Sequence, residues 1–265
     1  MKEYFSQSGI YYRINGFIPG RPTLVFIHGL SGSSSAWFEY EKKFESKYNI
    51  FTLDLRGHGV SIRPKSYNDY EIKKFADDIS EIIAQLRIER FVLVSHSFGA
   101  LIALELLEKE KEKIVSTVFL SPIFDAPRVA RLGLLLLSLG ALCIKMFPSV
   151  PRHGGHVDYS KFAPYTGDWD AKRLFADIHN TSLRVYLYCL RRIYEFKGEN
   201  RVYSLNLPIL IMHGKKDTFM PVAHSISLAA RLKRCKLILL DNANHIIVLN
   251  NIPEVARAIE NFVGV

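Results

Sequence analysis

The sequence predicts an α/β fold: a mostly parallel central sheet flanked by helices. Short apolar runs recur along the 265 residues with helical stretches between them, and strands that alternate with helices form a parallel sheet covered on both faces. The run Phe91 to Val94 is unbroken, as in a strand buried on both sides. The predicted strands of this sheet are residues 24–27, 50–53, 91–94, 114–120, 208–212 and 236–240.

The remaining elements follow from the same patterning. The predicted helices cover residues 35–47, 70–86, 100–107, 222–231 and 253–263. The N-terminal stretch 9–16 indicates an antiparallel strand, paired with residues 1–5. No internal repeat or low-complexity tract interrupts the chain.

The alternation of strands and helices stops after Leu120 and resumes at Pro208. An insertion that leaves a sheet at the carboxyl end of one strand and returns at the next predicts a helical cap over that end. We therefore expect a core domain made of residues 1–121 and 207–265 and a cap made of residues 122–206.

One cap segment is strongly apolar. Residues 132–144 are thirteen positions without a charge, bounded by Arg131 and Lys145. Spanning a bilayer takes about 20 apolar residues, so this segment is too short to cross one. It is compatible with weak contact to a membrane surface, with the roof of an acyl pocket, or with a helix packed on the sheet domain.

Composition excludes some classes of function. The net charge is +9, and residues 122–206 carry 12 Lys and Arg against 7 Asp and Glu. This surplus suits acidic substrates, an anionic surface or plain solubility, and no nucleic-acid-binding motif accompanies it. Three widely spaced cysteines fit neither a zinc site nor a disulfide framework. The N-terminus has no apolar signal region, so we expect a cytoplasmic protein. The oligomeric state stays open.

Residues Ser95 to Gly99 carry the main functional signal. They lie between the apolar run 91–94 and a helical segment that begins at Ala100. A strand, a sharp turn holding Ser97 and a helix make a nucleophile elbow. Small residues on both sides, Ser95 and Gly99, permit the tight turn. Ser97 is therefore the candidate nucleophile.

A serine hydroxyl needs a base within hydrogen-bond reach, and the base needs an acceptor that fixes its tautomer. The candidate base is His245, after the last predicted strand, and the candidate acid is Asp217, after the preceding strand. Both loops leave the carboxyl edge of the sheet, where sites in open α/β sheets gather. Asp125, after the strand that ends at Leu120, is an alternative acid. Asp241 suits a loop-capping role.

The other eight histidines are weaker candidates for the base. His96 is next to the nucleophile, but we expect its side chain to point elsewhere on a tight turn. Structural or surface roles are expected for His28, His153, His156, His179, His213 and His224.

Acyl transfer also needs two backbone N–H groups that face the oxyanion. The amide of Phe98, just after the nucleophile, is one candidate. The other is the amide of Leu30, in the loop of small residues after the first parallel strand. That loop lacks the lysine of a P-loop, which argues against a phosphate site.

These motifs together resemble the α/β-hydrolase superfamily, in the branch that holds carboxylesterases, monoacylglycerol lipases, enol-lactonases and cofactor-free haloperoxidases. The resemblance covers residues 5–121 and 207–265, and it implies an α/β-hydrolase fold with the triad in the chain order Ser, Asp, His. Ser95 stands where the family has glycine, and serine is also small. The motifs are His28 to Ser33, Trp37, Asp54 to Ser61, the elbow, His213-Gly214 with Asp217 and Pro221, and His245.

The expected function is a serine hydrolase that cleaves carboxylic esters through an acyl-enzyme on Ser97. The leucine-rich cap favours an apolar acyl group, such as that of a monoacylglycerol or medium-chain ester. Alternatives on the same triad are lactone opening, carbon–carbon bond hydrolysis and perhydrolysis, and a low-turnover receptor is a further one. The chemistry needs no metal or organic cofactor.

Overall fold

The computed structural model describes residues 1–125, 139–140 and 155–264, and its centre is one eight-stranded sheet. The strands run in the spatial order β1-β2-β4-β3-β5-β6-β7-β8. From β4 to β8 every pair is parallel, whereas β1–β2 and β2–β4 are antiparallel. The strands are β1 (Lys2–Phe5), β2 (Tyr11–Ile14), β3 (Thr23–Ile27), β4 (Asn49–Leu53), β5 (Phe91–His96), β6 (Ile114–Leu120), β7 (Ile209–Gly214) and β8 (Cys235–Leu240).

Helices cover both faces of this sheet. The described α-helices are α1 (Phe38–Phe44), α2 (Ile72–Gln85), α3 (Gly99–Lys109), α4 (Ala171–Thr181), α5 (Leu183–Glu195), α6 (Glu199–Tyr203), α7 (Val222–Arg231), α8 (Ile247–Asn250) and α9 (Ile252–Val263). Short 3₁₀ helices occupy Ser34–Trp37, Tyr67–Tyr70 and Tyr159–Phe162.

Two hydrophobic clusters lie on opposite faces of the sheet. Leu93 of β5 packs into the cluster that holds α2 and α3. Its neighbours Val92 and Val94 pack into the cluster that holds α1 and α9. Successive side chains of a strand point to opposite faces, so an unbroken apolar run serves both layers. This explains why the 91–94 segment shows no polar alternation.

The predicted fold is confirmed: the sheet is mostly parallel, helices flank it, and α4, α5 and α6 lie in the insertion between β6 and β7. The apolar segment 132–144 falls outside the described residues, except for Leu139 and Gly140. In the part of the chain that is described, no helix has the length and apolar character needed to cross a membrane.

Candidate active site

Ser97 lies on a strained turn at the carboxyl edge of the sheet. β5 ends at His96 and α3 begins at Gly99. Ser97 has a φ of +50°, a conformation that is uncommon outside glycine. Its amide donates to the carbonyl of Leu120 at the end of β6, with N and O 3.0 Å apart. The fold therefore holds the serine in the geometry of a nucleophile elbow.

Gly99 allows α3 to start directly against β3. A Cβ at this position would lie 2.8 Å from both the Ile27 and the His28 carbonyl oxygens. Backbone oxygens cannot move aside as a flexible side chain would. Only glycine therefore permits this approach of helix to strand.

The structure brings Ser97, His245 and Asp217 together. His245 Nε2 is 2.8 Å from Ser97 Oγ, and His245 Nδ1 is 2.7 Å from Asp217 Oδ2. Because a carboxylate only accepts hydrogen bonds, Nδ1 carries the imidazole proton. Nε2 is then free to accept the serine proton, as a general base requires.

Asp217 is held as a carboxylate. Its Oδ1 accepts hydrogen bonds from the amides of Phe219 and Met220, each at 2.8 Å. Burial by itself would raise the pKa of Asp217, but the contacts with His213 and His245, together with the Met220 amide, outweigh burial and hold the pKa well below its usual range. The acid therefore stays ionised beside the imidazole.

His213 contacts Asp217, and the only sign of this in the sequence is a histidine beside a glycine at a strand end. Its Nε2 is 2.9 Å from Asp217 Oδ2 and 3.1 Å from the Met220 carbonyl oxygen. Both neighbours are acceptors, so Nε2 carries the proton. Nδ1 then accepts from the Ser225 hydroxyl at 2.7 Å.

The alternative acids lie elsewhere. Asp125 accepts from the amide of Glu199 at 3.2 Å, and its Oδ1 is 3.9 Å from Lys197 Nζ. Asp241 is exposed and pairs with Lys215 at 2.7 Å. Neither carboxylate contacts His245.

His96 differs from expectation, because its ring is part of the wall of the Ser97 pocket. The His96 and His245 ring centroids are 5.2 Å apart, and His96 Nε2 donates to the His245 carbonyl oxygen at 3.0 Å. Burial, and after it the neighbouring His245, lowers the pKa of His96 to about 3. The ring is therefore neutral at neutral pH and acts as a packing and hydrogen-bonding partner of the base.

The two candidate oxyanion amides are those of Leu30 and Phe98. Leu30 lines the same pocket as Ser97, and Phe98 follows Ser97 directly with its ring fully buried. Within the described residues neither amide has a hydrogen-bond acceptor. Their role remains a prediction.

The pocket above Ser97 has a volume of about 180 Å³ and is mainly apolar in its described part. Arg173 also lines it, but the guanidinium pairs with Asp177 at 2.7 Å and donates to the Asp168 carbonyl oxygen at 2.9 Å. The positive charge is thus already balanced. Apolar lining residues include Leu30, Ile123, Leu174, Leu190, Ile193 and Met220. In residues 1–125, 139–140 and 155–264, no group of three or more His, Cys, Asp or Glu side chains is placed to hold a metal ion.

Comparison with known proteins gives the family. Residues 22–252 match the family model of the alpha/beta hydrolase fold, and the chain belongs to that family. A putative carbamate hydrolase of Rhizobium rhizogenes is 25% identical over 243 residues, covering 86% of this chain and 87% of that protein. The (E)-2-((N-methylformamido)methylene)succinate hydrolase of Acinetobacter baylyi is 24% identical over 250 residues, covering 91% of this chain and 89% of that protein.

Solved structures show the same architecture. The enol-lactonase of Burkholderia xenovorans has a TM-score of 0.74 at 19% identity, covering 97% of this chain and 98% of that chain. An esterase of Exiguobacterium antarcticum has a TM-score of 0.74 at 17% identity, covering 99% of each chain. At these identities the similarity is one of fold. Together with the family match, it supports a hydrolase.

Proposed function

We propose that this protein is a serine hydrolase that cleaves carboxylic esters with an apolar acyl group through an acyl-enzyme. One observation carries the proposal. Hydrogen bonds join Ser97 Oγ to His245 Nε2 at 2.8 Å and His245 Nδ1 to Asp217 Oδ2 at 2.7 Å, and Ser97 and His245 line an apolar pocket. We assign the oxyanion donors to the amide of Phe98, which directly follows Ser97, and the amide of Leu30, which lines the same pocket.

In acylation, Ser97 Oγ attacks the carbonyl carbon of the ester and His245 Nε2 takes the serine proton. The negative oxygen of the tetrahedral intermediate accepts hydrogen bonds from Leu30 and Phe98. When the intermediate collapses, the bond to the alkoxy group breaks and His245 gives the proton to the departing alcohol. The acyl group is left on Ser97 Oγ.

Deacylation repeats these steps with water. His245 takes a proton from water, which attacks the acyl carbonyl carbon, and then returns that proton to Ser97 Oγ. Asp217 stabilises the imidazolium in both halves of the cycle and fixes the tautomer through Nδ1. The low pKa of Asp217 suits this role, because the carboxylate keeps its charge while the imidazole gains one.

The pocket favours a short, uncharged acyl group. Arg173 is the one cationic side chain among the described lining residues that is charged at every physiological pH, and Asp177 balances it. A volume of about 180 Å³ is small, since pockets that bind drug-sized ligands measure about 300–1,000 Å³. We therefore expect p-nitrophenyl butyrate to be cleaved faster than the palmitate.

A second candidate uses the same triad on a carbamate or a lactone. The relative from Rhizobium rhizogenes is named a putative carbamate hydrolase, and the enol-lactonase shares the fold. Both reactions place a nucleophile on a carbonyl carbon, so Ser97 and His245 would keep their roles.

A substrate panel tests the proposal. The p-nitrophenyl esters from acetate to palmitate, with lactones and carbamates beside them, are assayed with the native protein, Ser97→Ala and the control Ser204→Ala. Ser204 is exposed, and among the described residues its hydroxyl bonds the Arg201 carbonyl oxygen alone, at 2.7 Å. We expect Ser97→Ala to lose at least about 10⁴-fold in kcat and Ser204→Ala to match the native protein. Full ester turnover by Ser97→Ala would refute the proposal.

A further inference from the structure

Asp168 is a buried carboxylate of the cap region that bonds both loops of the acid–base pair. Its Oδ1 accepts from the backbone amide of His245 at 2.9 Å. Its Oδ2 accepts from the amide and the hydroxyl of Thr218, at 2.9 and 2.8 Å. Thr218 directly follows Asp217. One side chain, 5% exposed, therefore joins the two loops at the acid and the base themselves.

Asp168 is itself fixed from α4. Arg173 donates to the Asp168 carbonyl oxygen at 2.9 Å and pairs with Asp177 one turn further along the helix. Arg173 and Asp177 are both buried. Asp170 caps the same helix by accepting from the Arg173 amide at 2.9 Å. Helix α4 thus holds the backbone of Asp168 through the charge-assisted hydrogen bond from Arg173.

Residues beside Asp168 also bond the loops that hold Asp217 and His245. The Thr166 carbonyl oxygen accepts from the side-chain amides of Asn244 and Asn250, each at 2.8 Å. Trp169 Nε1 donates to the Thr218 hydroxyl at 3.0 Å, and its ring packs edge-on against Phe219. Thr166, Asp168 and Trp169 therefore each contact the loop of the acid, the loop of the base, or both.

We propose that Asp168 is a positioning residue that holds Asp217 and His245 in register, so that the cap region helps to set the catalytic geometry. Asp168 is not among the residues that line the Ser97 pocket, and it acts through the two loops instead of on the substrate. A carboxylate offers acceptors alone, and both loops present donors to it. The inference rests on the proposed serine-hydrolase function.

Asp168→Asn is the direct test. The amide side chain still accepts from one loop, but its NH₂ group faces a donor on the other, so the loops lose their common acceptor. Since a shift of about 1 Å in a catalytic group can cost about 100-fold in rate, we expect kcat to fall about 10- to 100-fold. KM for p-nitrophenyl butyrate should change less than about threefold, because Asp168 does not contact the pocket.

Asp158→Asn is the matched control. Asp158, like Asp168, lies before α4 in the chain, and it is exposed. It caps the 3₁₀ helix Tyr159–Phe162 by accepting from the Ser160 amide and hydroxyl. It makes no contact with the loops of Asp217 or His245 in the described structure. We expect native kcat and KM from this variant.

A second readout separates positioning from general stability. The proton on His245 Nδ1 that bonds Asp217 gives a low-field proton NMR signal, which we expect to weaken or shift in Asp168→Asn and to stay unchanged in Asp158→Asn. If Asp168→Asn does not fold, Thr218→Val takes its place. This variant removes one of the three bonds to Asp168 and also the acceptor of the Trp169 Nε1 bond, and we expect kcat to fall a few-fold.

The outcomes are distinct. A folded Asp168→Asn protein with native kcat and an unchanged His245 signal would overturn the positioning role, as would a fall in kcat matched by the control. A native protein without turnover on any substrate of the panel would overturn the proposed function instead, and the His245 signal would still test the role of Asp168.

Discussion

At the scale of single residues, the partners of each carboxylate decide which one we assign as the acid of the proposed triad. Asp217 and Asp125 both follow strands at the carboxyl edge of the sheet. Asp217 contacts His245 and His213 and accepts two loop amides. Asp125 is turned to the start of α6. The sequence alone left both open, because a loop's direction after a strand depends on contacts far along the chain.

Replacing each acid tests this assignment. We expect Asp217→Asn to lower kcat by about 10⁴-fold, because an amide in that place favours the wrong tautomer of the imidazole. Asp125→Asn should keep kcat within about twofold, since its oxygen still accepts from the Glu199 amide. Steady-state ester hydrolysis measures both, and a large loss confined to Asp125→Asn would reverse the assignment.

At the scale of elements, the turn between β5 and α3 depends on close contact between backbones. Gly99→Ala would place a methyl group 2.8 Å from two carbonyl oxygens. We expect this to lower the free energy of unfolding by about 1–3 kcal/mol and to reduce kcat by moving Ser97.

Gly16→Ala is the control for that substitution. Nothing lies within 4 Å of a Cβ at Gly16, so its stability should change by less than about 0.5 kcal/mol. Urea unfolding followed by circular dichroism measures both variants. Equal stability of Gly99→Ala and the native protein would show that α3 can retreat from β3 without cost.

The elements of the core were predictable because their signals are local. The apolar run 91–94 and the small residues around Ser97 indicate a strand and a turn within ten positions. The part played by Asp168 had no such signal, since its bonds join residues 50 and 77 positions apart. The sequence does not distinguish an aspartate that caps a helix from one that bonds two distant loops. The wall position of His96 was missed for a similar reason, because it depends on the loop of His245.

At the scale of the whole molecule, buried neutral histidines make stability depend on pH. Burial first, opposed in part by hydrogen bonds and neighbouring carboxylates, lowers the pKa of His28 to about 4 and that of His58 to about 3. His96 behaves in the same way. In an unfolded chain each of these histidines would have a pKa of about 6.5. The unfolded state therefore binds more protons below that pH, and stability falls as pH decreases from about 6.5.

Buried carboxylates oppose this trend, because burial raises the pKa of Asp177, Glu41 and Asp78. Burial, offset only in part by Arg173, raises the pKa of Asp177 to about 6, so below that pH the folded state takes up a proton that the unfolded state does not. We expect the three histidines to set the sign of the slope between about pH 6.5 and pH 5, because the pKa of each lies below this window whereas that of Asp177 lies inside it.

His58→Asn isolates one of these contributions. We expect the free energy of unfolding of this variant to fall less steeply between pH 6.5 and pH 5, by up to about 1.4 kcal/mol per pH unit. Urea titrations at several pH values measure the slope. His179→Asn, at an exposed position on α4, is the control and should follow the native curve. Parallel curves for the native protein and His58→Asn would contradict a buried neutral His58.

The reactivity of Ser97 is the central claim, and covalent labelling measures it most directly. The native protein, Ser97→Ala and His245→Ala are treated with a fluorophosphonate and analysed by intact mass and peptide mapping. We expect one adduct per native chain, on the peptide that holds Ser97, no adduct on Ser97→Ala, and much slower labelling of His245→Ala. A native protein that stays unlabelled, or an adduct that persists on Ser97→Ala, would contradict the assignment of Ser97 as an activated nucleophile.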